Sequence, residues 1–169
     1  MLKKIGYGLI AVLVIAQFIR PAQNKAEGTQ PNNIEQVVAI NDDVKAIFTK
    51  ACYDCHTNNT NYPWYSMVQP VGWWLQRHVN EGKEHFNFDD FATYSPKKQK
   101  HKLEEITETI TEGEMPLKSY KLIHGEAKLS PEEIAAVKQW VQQSMALYPS
   151  DNPGQQSDNE KQTSNTPAP

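Results

Sequence analysis

Cysteine is scarce in this sequence: Cys52 and Cys55 are the only two among 169 residues. That excludes a disulfide-rich scaffold, and a four-cysteine zinc site cannot be built. Strand signals are missing too. No stretch alternates apolar and polar residues long enough to form a half-buried strand. Positive charge is sparse beyond residue 20, where 14 Lys and Arg stand against 20 Asp and Glu. A nucleic-acid backbone demands a basic surface, so no nucleic-acid partner is expected. No nucleotide-binding or dehydrogenase pattern appears, so substrate chemistry would belong to a partner. Internal repeats are absent as well.

One long apolar run exists. Lys3 and Lys4 precede the uncharged stretch from Ile5 to Ile19, which Arg20-Pro21 closes. Its 15 residues fall short of the ~20 that a membrane-spanning helix needs. Residues 1–20 read as an export segment, either cleaved as a signal peptide or kept as a membrane anchor. Val14-Ile15-Ala16 resembles a cleavage site, but Phe18 and Ile19 follow it. Both readings place the rest of the chain in the periplasm, and the retained form would hold it at the inner membrane through residues 5–19. Residues 21–33 lack large apolar side chains and read as a flexible linker. Residues 149–169 have no aromatic or large aliphatic residue, so they are expected to be disordered.

Four helical patterns lie between these flanks, in residues 34–148. The first covers Asp42 to Ala51, with Val44, Ile47, Phe48 and Ala51 on one face. The second runs from Pro70 to Glu81, with a stripe of Val71, Trp74, Leu75 and His78, and a stop at Gly82. Ser95-Pro96 starts the third, which carries Leu103, Ile106 and Ile110 and ends at Gly113. Ser130 and Glu133 form a capping box for the fourth. Ile134, Val137, Val141 and Met145 make its stripe, with Trp140 beside them. The expected fold is all-α.

The chemistry concentrates in Cys52-Tyr53-Asp54-Cys55-His56, a C-x-x-C-H motif. Two thiols three residues apart at a helix end can each form a thioether with a haem vinyl group. The histidine that follows then reaches the iron from one side. The motif therefore points to one covalently attached haem c per chain. Three other readings use the same residues. A plain disulfide would suit an oxidising compartment. A thioredoxin-like pair wants a βαβ setting, and no strand precedes it. A zinc site would need a second pair of ligands, and no C-x-x-C or H-x-x-x-H supplies one.

The sixth iron position has two candidates. Met115 sits in Gly113-Glu114-Met115-Pro116, where the proline blocks helix continuation and holds an extended loop. His78 shares a helix face with Val71, Trp74 and Leu75, and is its rival for that position. Its other reading is a histidine bonded to backbone or to a haem propionate. An open sixth site is the third option. Met145, on a helix stripe, and Met67, in an aromatic loop, read as packing residues. His85 and His101 read as solvated. His124 reads as a turn residue that could touch a propionate. Ten of the 16 aromatic residues fall between Tyr53 and Tyr94, enough bulk to enclose a flat apolar cofactor.

The stretch from Cys52 to Trp140 resembles the haem-binding domain proteins of the bacterial cytochrome c type. The matching pieces are CYDCHTNNTNYPWYS (Cys52–Ser66), PVGWWLQRHVNEGKEHFNF (Pro70–Phe88), GEMP (Gly113–Pro116) and KLSPEEIAAVKQW (Lys128–Trp140). The resemblance implies a small monohaem domain in which Cys52, Cys55 and His56 hold the cofactor. The order of motif, methionine loop and last helix is similar to class I cytochromes c, which implies Met115 as the distal ligand. The aromatic insert from Asn58 to Phe91 departs from that pattern. The resulting expectation is a periplasmic electron carrier rather than an enzyme, exchanging single electrons with redox protein partners such as membrane respiratory or periplasmic enzymes. The alternative is a haem-based sensor or peroxidase with an open sixth site, in which His78 or Arg77 assists.

Overall fold

The computed structural model describes residues 1–149. Among these residues the α-helices number seven, and strands are absent. They are α1 (Leu2–Ala16), α2 (Asp42–Ala51), α3 (Tyr53–His56), α4 (Val71–His85), α5 (Pro96–Thr111), α6 (Lys118–Ile123) and α7 (Pro131–Met145). Short 3-10 turns occupy Ile34–Gln36, Trp64–Met67, Phe88–Thr93 and Gly125–Ala127. The all-α expectation is borne out; the four helical patterns fall on α2, α4, α5 and α7, and the domain adds the short α3 and α6. The disordered-tail expectation falls, apart from Pro149, outside the described residues.

Local chemistry explains the helix ends. Asn41 caps α2 by accepting from the Val44 N–H. Ser95 caps α5, and Pro96 opens it. Ser130 and Glu133 form a complete capping box on α7. Gly113 takes a φ of 75° just past α5, where a side chain would be strained.

The core gathers Val44, Ile47 and Phe48 of α2, Leu103 and Ile110 of α5, and Val137, Trp140 and Val141 of α7. Phe86, Phe88 and Phe91 close it from the segment after α4. Phe48 is the hub. Its ring lies 5.0 Å from Phe88 and 5.2 Å, edge-on, from Trp140. The Trp140 indole N–H donates to the Ala39 carbonyl at 2.8 Å, so the buried ring leaves no polar group unpaired.

Two features of α4 depart from the sequence reading. The buried residues are Gly72, Gln76 and Val79, whereas Val71 and Trp74 are exposed. The true inner stripe is small and polar, so apolar periodicity pointed to the wrong face. The helix also continues through Gly82. A Cβ there would lie 2.8 Å from the Cys55 carbonyl oxygen and 3.2 Å from the Cys55 Cβ. Glycine is present because α3 and α4 press together at that point, and it does not end the helix.

Residues 21–33 are fastened to the domain by polar groups. Asn24 donates through its side chain to the Thr57 carbonyl (2.8 Å) and to Thr60 Oγ1 (2.9 Å). The Asn24 N–H donates to Tyr62 Oη at 2.6 Å, and the Ala26 N–H donates to the Asn58 carbonyl at 2.8 Å. Asn33 donates to Asp89 at 2.7 Å. The expected flexible linker is thus a strap laid across the segment behind the C-x-x-C-H turn. Side-chain amides supply the attachments that its missing apolar residues do not.

α1 buries none of its side chains. No described helix is long and apolar enough to cross a membrane.

Candidate functional site

The C-x-x-C-H motif begins where α2 stops. The Cys52 N–H makes the last bond of α2, to the Phe48 carbonyl at 2.8 Å. The chain then turns into α3, whose His56 N–H donates to the Cys52 carbonyl at 3.0 Å. Thr57 is extended and ends the turn. Two hydroxyls satisfy carbonyls that such a short helix leaves open. Thr57 donates to the Tyr53 carbonyl at 2.7 Å, and Thr60 to the Asp54 carbonyl at 2.6 Å. The motif is held rigidly from below.

Above it lies a cavity of about 500 Å³. That is within the usual range for a cofactor site. Cys52, Cys55, His56, His78 and Met115 all line it. Phe48, Phe86, Phe88, Ile106, Ile110 and Val137 make most of its apolar wall. Polar groups along the lining include Glu81, His85, Lys102, Glu105 and Glu114. Lys102, paired with Glu105 at 2.5 Å, and His85 are among the lining groups able to carry positive charge.

His56 is positioned as a ligand. Its Nδ1 lies 2.8 Å from the Phe86 carbonyl oxygen, which can only accept a hydrogen bond. The proton therefore sits on Nδ1, and Nε2 carries the lone pair. Burial pushes its pKa below the ordinary histidine value and keeps the ring neutral, against the opposing pull of the Phe86 and Gly82 carbonyls. A neutral imidazole fixed by its far nitrogen is the form that binds iron.

Cys52 and Cys55 are not joined to each other. Burial pushes the Cys52 thiol up to about 12, with help from Cys55. Burial, then the Asp54 carboxylate, raises Cys55 to about 11. Both are protonated thiols facing an apolar space, unlike the electropositive setting of a reactive redox cysteine. No group of three or more His, Cys, Asp or Glu among the described residues could hold a metal ion.

Met115 reaches the cavity from the loop after α5. The Thr109 carbonyl accepts from both the Glu114 N–H (3.0 Å) and the Met115 N–H (3.1 Å), and this fastens the loop to the helix end. His78 keeps Nδ1 against the Trp74 carbonyl at 2.8 Å and packs 4.3 Å from the Trp74 ring. Arg77 is exposed, pairs with Glu81 at 2.7 Å, and does not line the cavity. His85 is exposed at the cavity lining, while His101 lies beside Glu105 on the surface. His124 lines a smaller neighbouring cavity with Asp54, bonds Tyr65 Oη at 2.7 Å and stacks on Tyr120. Met145 packs against the core, but Met67 is exposed and does not pack as expected.

Sequence reasoning missed three contributors. The Phe86 carbonyl is backbone and carries no sequence signal. Gly82 was readable only as a helix stop. Tyr120 lines the cavity and donates to Asp54 at 2.8 Å, and nothing in its neighbourhood singles it out.

This helical domain, with a histidine, two thiols and a methionine around one apolar cavity, has the build of a haem protein. The haem-binding domain family model matches residues 11–143, most of the chain. The chain belongs to that family. Comparison with the curated proteins and with the solved structures returns no match.

Proposed function

We propose that this haem-binding domain carries one haem c, attached through thioethers to Cys52 and Cys55, and serves as a single-electron carrier. The observation that carries the reading is the convergence of Cys52, Cys55, His56 and Met115 on one apolar cavity. His56 would hold the haem iron, oriented by the Phe86 carbonyl. Met115 would be the second residue to hold it, through a soft sulfur that favours the ferrous state and raises the potential. When bound, the haem supplies the reversible one-electron couple. Phe86, Phe88 and the other apolar residues of the wall exclude water, so little solvent must reorganise when the charge changes. The protein acts outside the inner membrane, held there by its N-terminal helix, and exchanges electrons with redox protein partners.

His78 lines the same cavity and supports a second reading. A sixth site left open, or held weakly by His78, would make the protein a ligand sensor or a peroxidase.

The test is the optical spectrum of the full chain produced with a c-haem maturation system. Haem that resists acid-acetone extraction is expected. So are a low-spin ferric spectrum and a weak far-red sulfur-to-iron band. Extractable haem would overturn covalent attachment. A high-spin ferric spectrum that shifts with cyanide would replace electron transfer with ligand chemistry.

A further inference from the structure

Residues 57–76 contain no charged residue and no histidine. Six of their apolar side chains, three of them tryptophans, are exposed to solvent. Trp64 is 79% exposed, and Met67, Val68, Val71, Trp73 and Trp74 are between 38% and 45% exposed. Isolated exposed apolar residues are ordinary, but six within eleven residues of an uncharged segment mark a contact surface.

What that surface meets is indicated by α1. The helix end is hydrogen-bonded to this segment. The Gln17 side chain donates to the Gln69 carbonyl at 3.1 Å and accepts from the Gln69 N–H at 2.9 Å. The Trp73 indole N–H donates to the Ile19 carbonyl at 2.7 Å. Arg20, the first charge after the apolar run, lines a surface cavity with Met67 and Gln69. The apolar helix and the aromatic face are therefore continuous, with a cation at their junction.

Length strengthens the argument. The 15 residues of α1, at about 1.5 Å each, cover about 22 Å. A bilayer's hydrocarbon core is ~30 Å thick. An anchor that short draws its domain down towards the membrane. Tryptophan suits that depth, since its ring is apolar and its N–H can find a polar partner.

We propose that Trp64, Met67, Val68, Val71, Trp73 and Trp74 form a collar around the exit of α1 that sits in the headgroup region of the membrane bilayer. The inference rests on the anchored reading given above. A protein partner fits less well, because it would leave the apolar α1, which is continuous with this face, uncovered.

The experiment uses the full-length haem-loaded protein in vesicles of phosphatidylethanolamine and phosphatidylglycerol. A fraction of lipid carries bromine, either near the headgroup or at mid-chain. Tryptophan emission is read as the ratio of brominated to plain vesicles, so quenching by the haem cancels. Trp64→Phe, Trp73→Phe and Trp74→Phe divide the signal among the rings, and the core residue Trp140 serves as internal control. Co-flotation with the vesicles is expected, with loss of emission from the three collar tryptophans, largest with shallow bromine. Co-flotation without that loss would overturn the collar and leave the anchor standing. A lipid-insensitive emission from a dimeric protein would assign the face to a second copy and overturn the proposal. Failure to float would remove the anchored reading and the collar together.

Discussion

Tyr120 donates a 2.8 Å hydrogen bond to Asp54, and so ties the helix after the Met115 loop to the middle of the C-x-x-C-H turn. Both residues line the main cavity. Burial, with the Asp54 bond, raises the Tyr120 pKa, so the phenol remains a donor at any working pH. Tyr120→Phe keeps the ring and removes the bond. A stability loss of about 1 kcal/mol is expected in urea unfolding. The ferrous protein should also bind carbon monoxide faster, because the Met115 side of the cavity loses its brace. Unchanged binding would show that α6 does not hold the loop.

Gly82→Ala tests the contact between α3 and α4. On helix propensity alone, alanine would stabilise α4 by about 1 kcal/mol. The new Cβ would instead meet the Cys55 carbonyl oxygen at 2.8 Å, and backbone cannot swing aside. The variant should yield less haem per chain and melt at a lower temperature. A higher melting temperature with full haem content would mean that the two helices separate easily.

The sixth ligand is decided by a pair of variants. Met115→Ala should abolish the far-red band and give a ferric spectrum that responds to cyanide. His78→Ala should leave the band in place. If only His78→Ala changes the spectrum, the two assignments exchange.

Acid should loosen α7. Glu133 lies below its ordinary carboxylate pKa because Lys50 bonds it, with the Ser130 N–H next in importance. A depressed carboxylate adds stability above its unfolded value of about 4.5 and loses it as pH falls through the lower folded value. Wild type and Glu133→Gln should therefore differ in urea midpoint at neutral pH and converge under acid. Ser130→Ala should cost about 1 kcal/mol as well, through loss of the cap. A gap between wild type and Glu133→Gln that persists in acid would assign the effect to packing.

Helix positions were legible where caps and apolar spacing agreed. Ser95-Pro96 and Ser130 with Glu133 mark starts that the structure keeps. The C-x-x-C-H motif was legible because its spacing is chemical, and the structure sets it at the wall of the main cavity. α4 was misread because its inner face is Gly72, Gln76 and Val79, and burial there is achieved by closeness and hydrogen bonding instead of bulk. Tyr62 and Asn80 bond Gln76 at 2.6 and 2.9 Å, which makes a buried amide tolerable. The short helices α3 and α6 have too few residues to show a period. The strap was missed because composition reports what a segment cannot bury, and says nothing of polar groups that find partners 30 to 60 residues away.

The strap has a mechanical consequence. Asn24 is bonded to Thr57 and Thr60, and Lys83 reaches its side-chain oxygen. Between the end of α1 and the cofactor turn there is almost no slack. On the proposed electron-carrier reading, the protein would not sweep a volume as a carrier on a long leash does; it would act as a fixed terminal. If α1 anchors it as proposed, its height above the bilayer would be set by architecture, and donors and acceptors would have to bring their own cofactors to it. Electron flow through the protein would then be governed by the traffic of its partners.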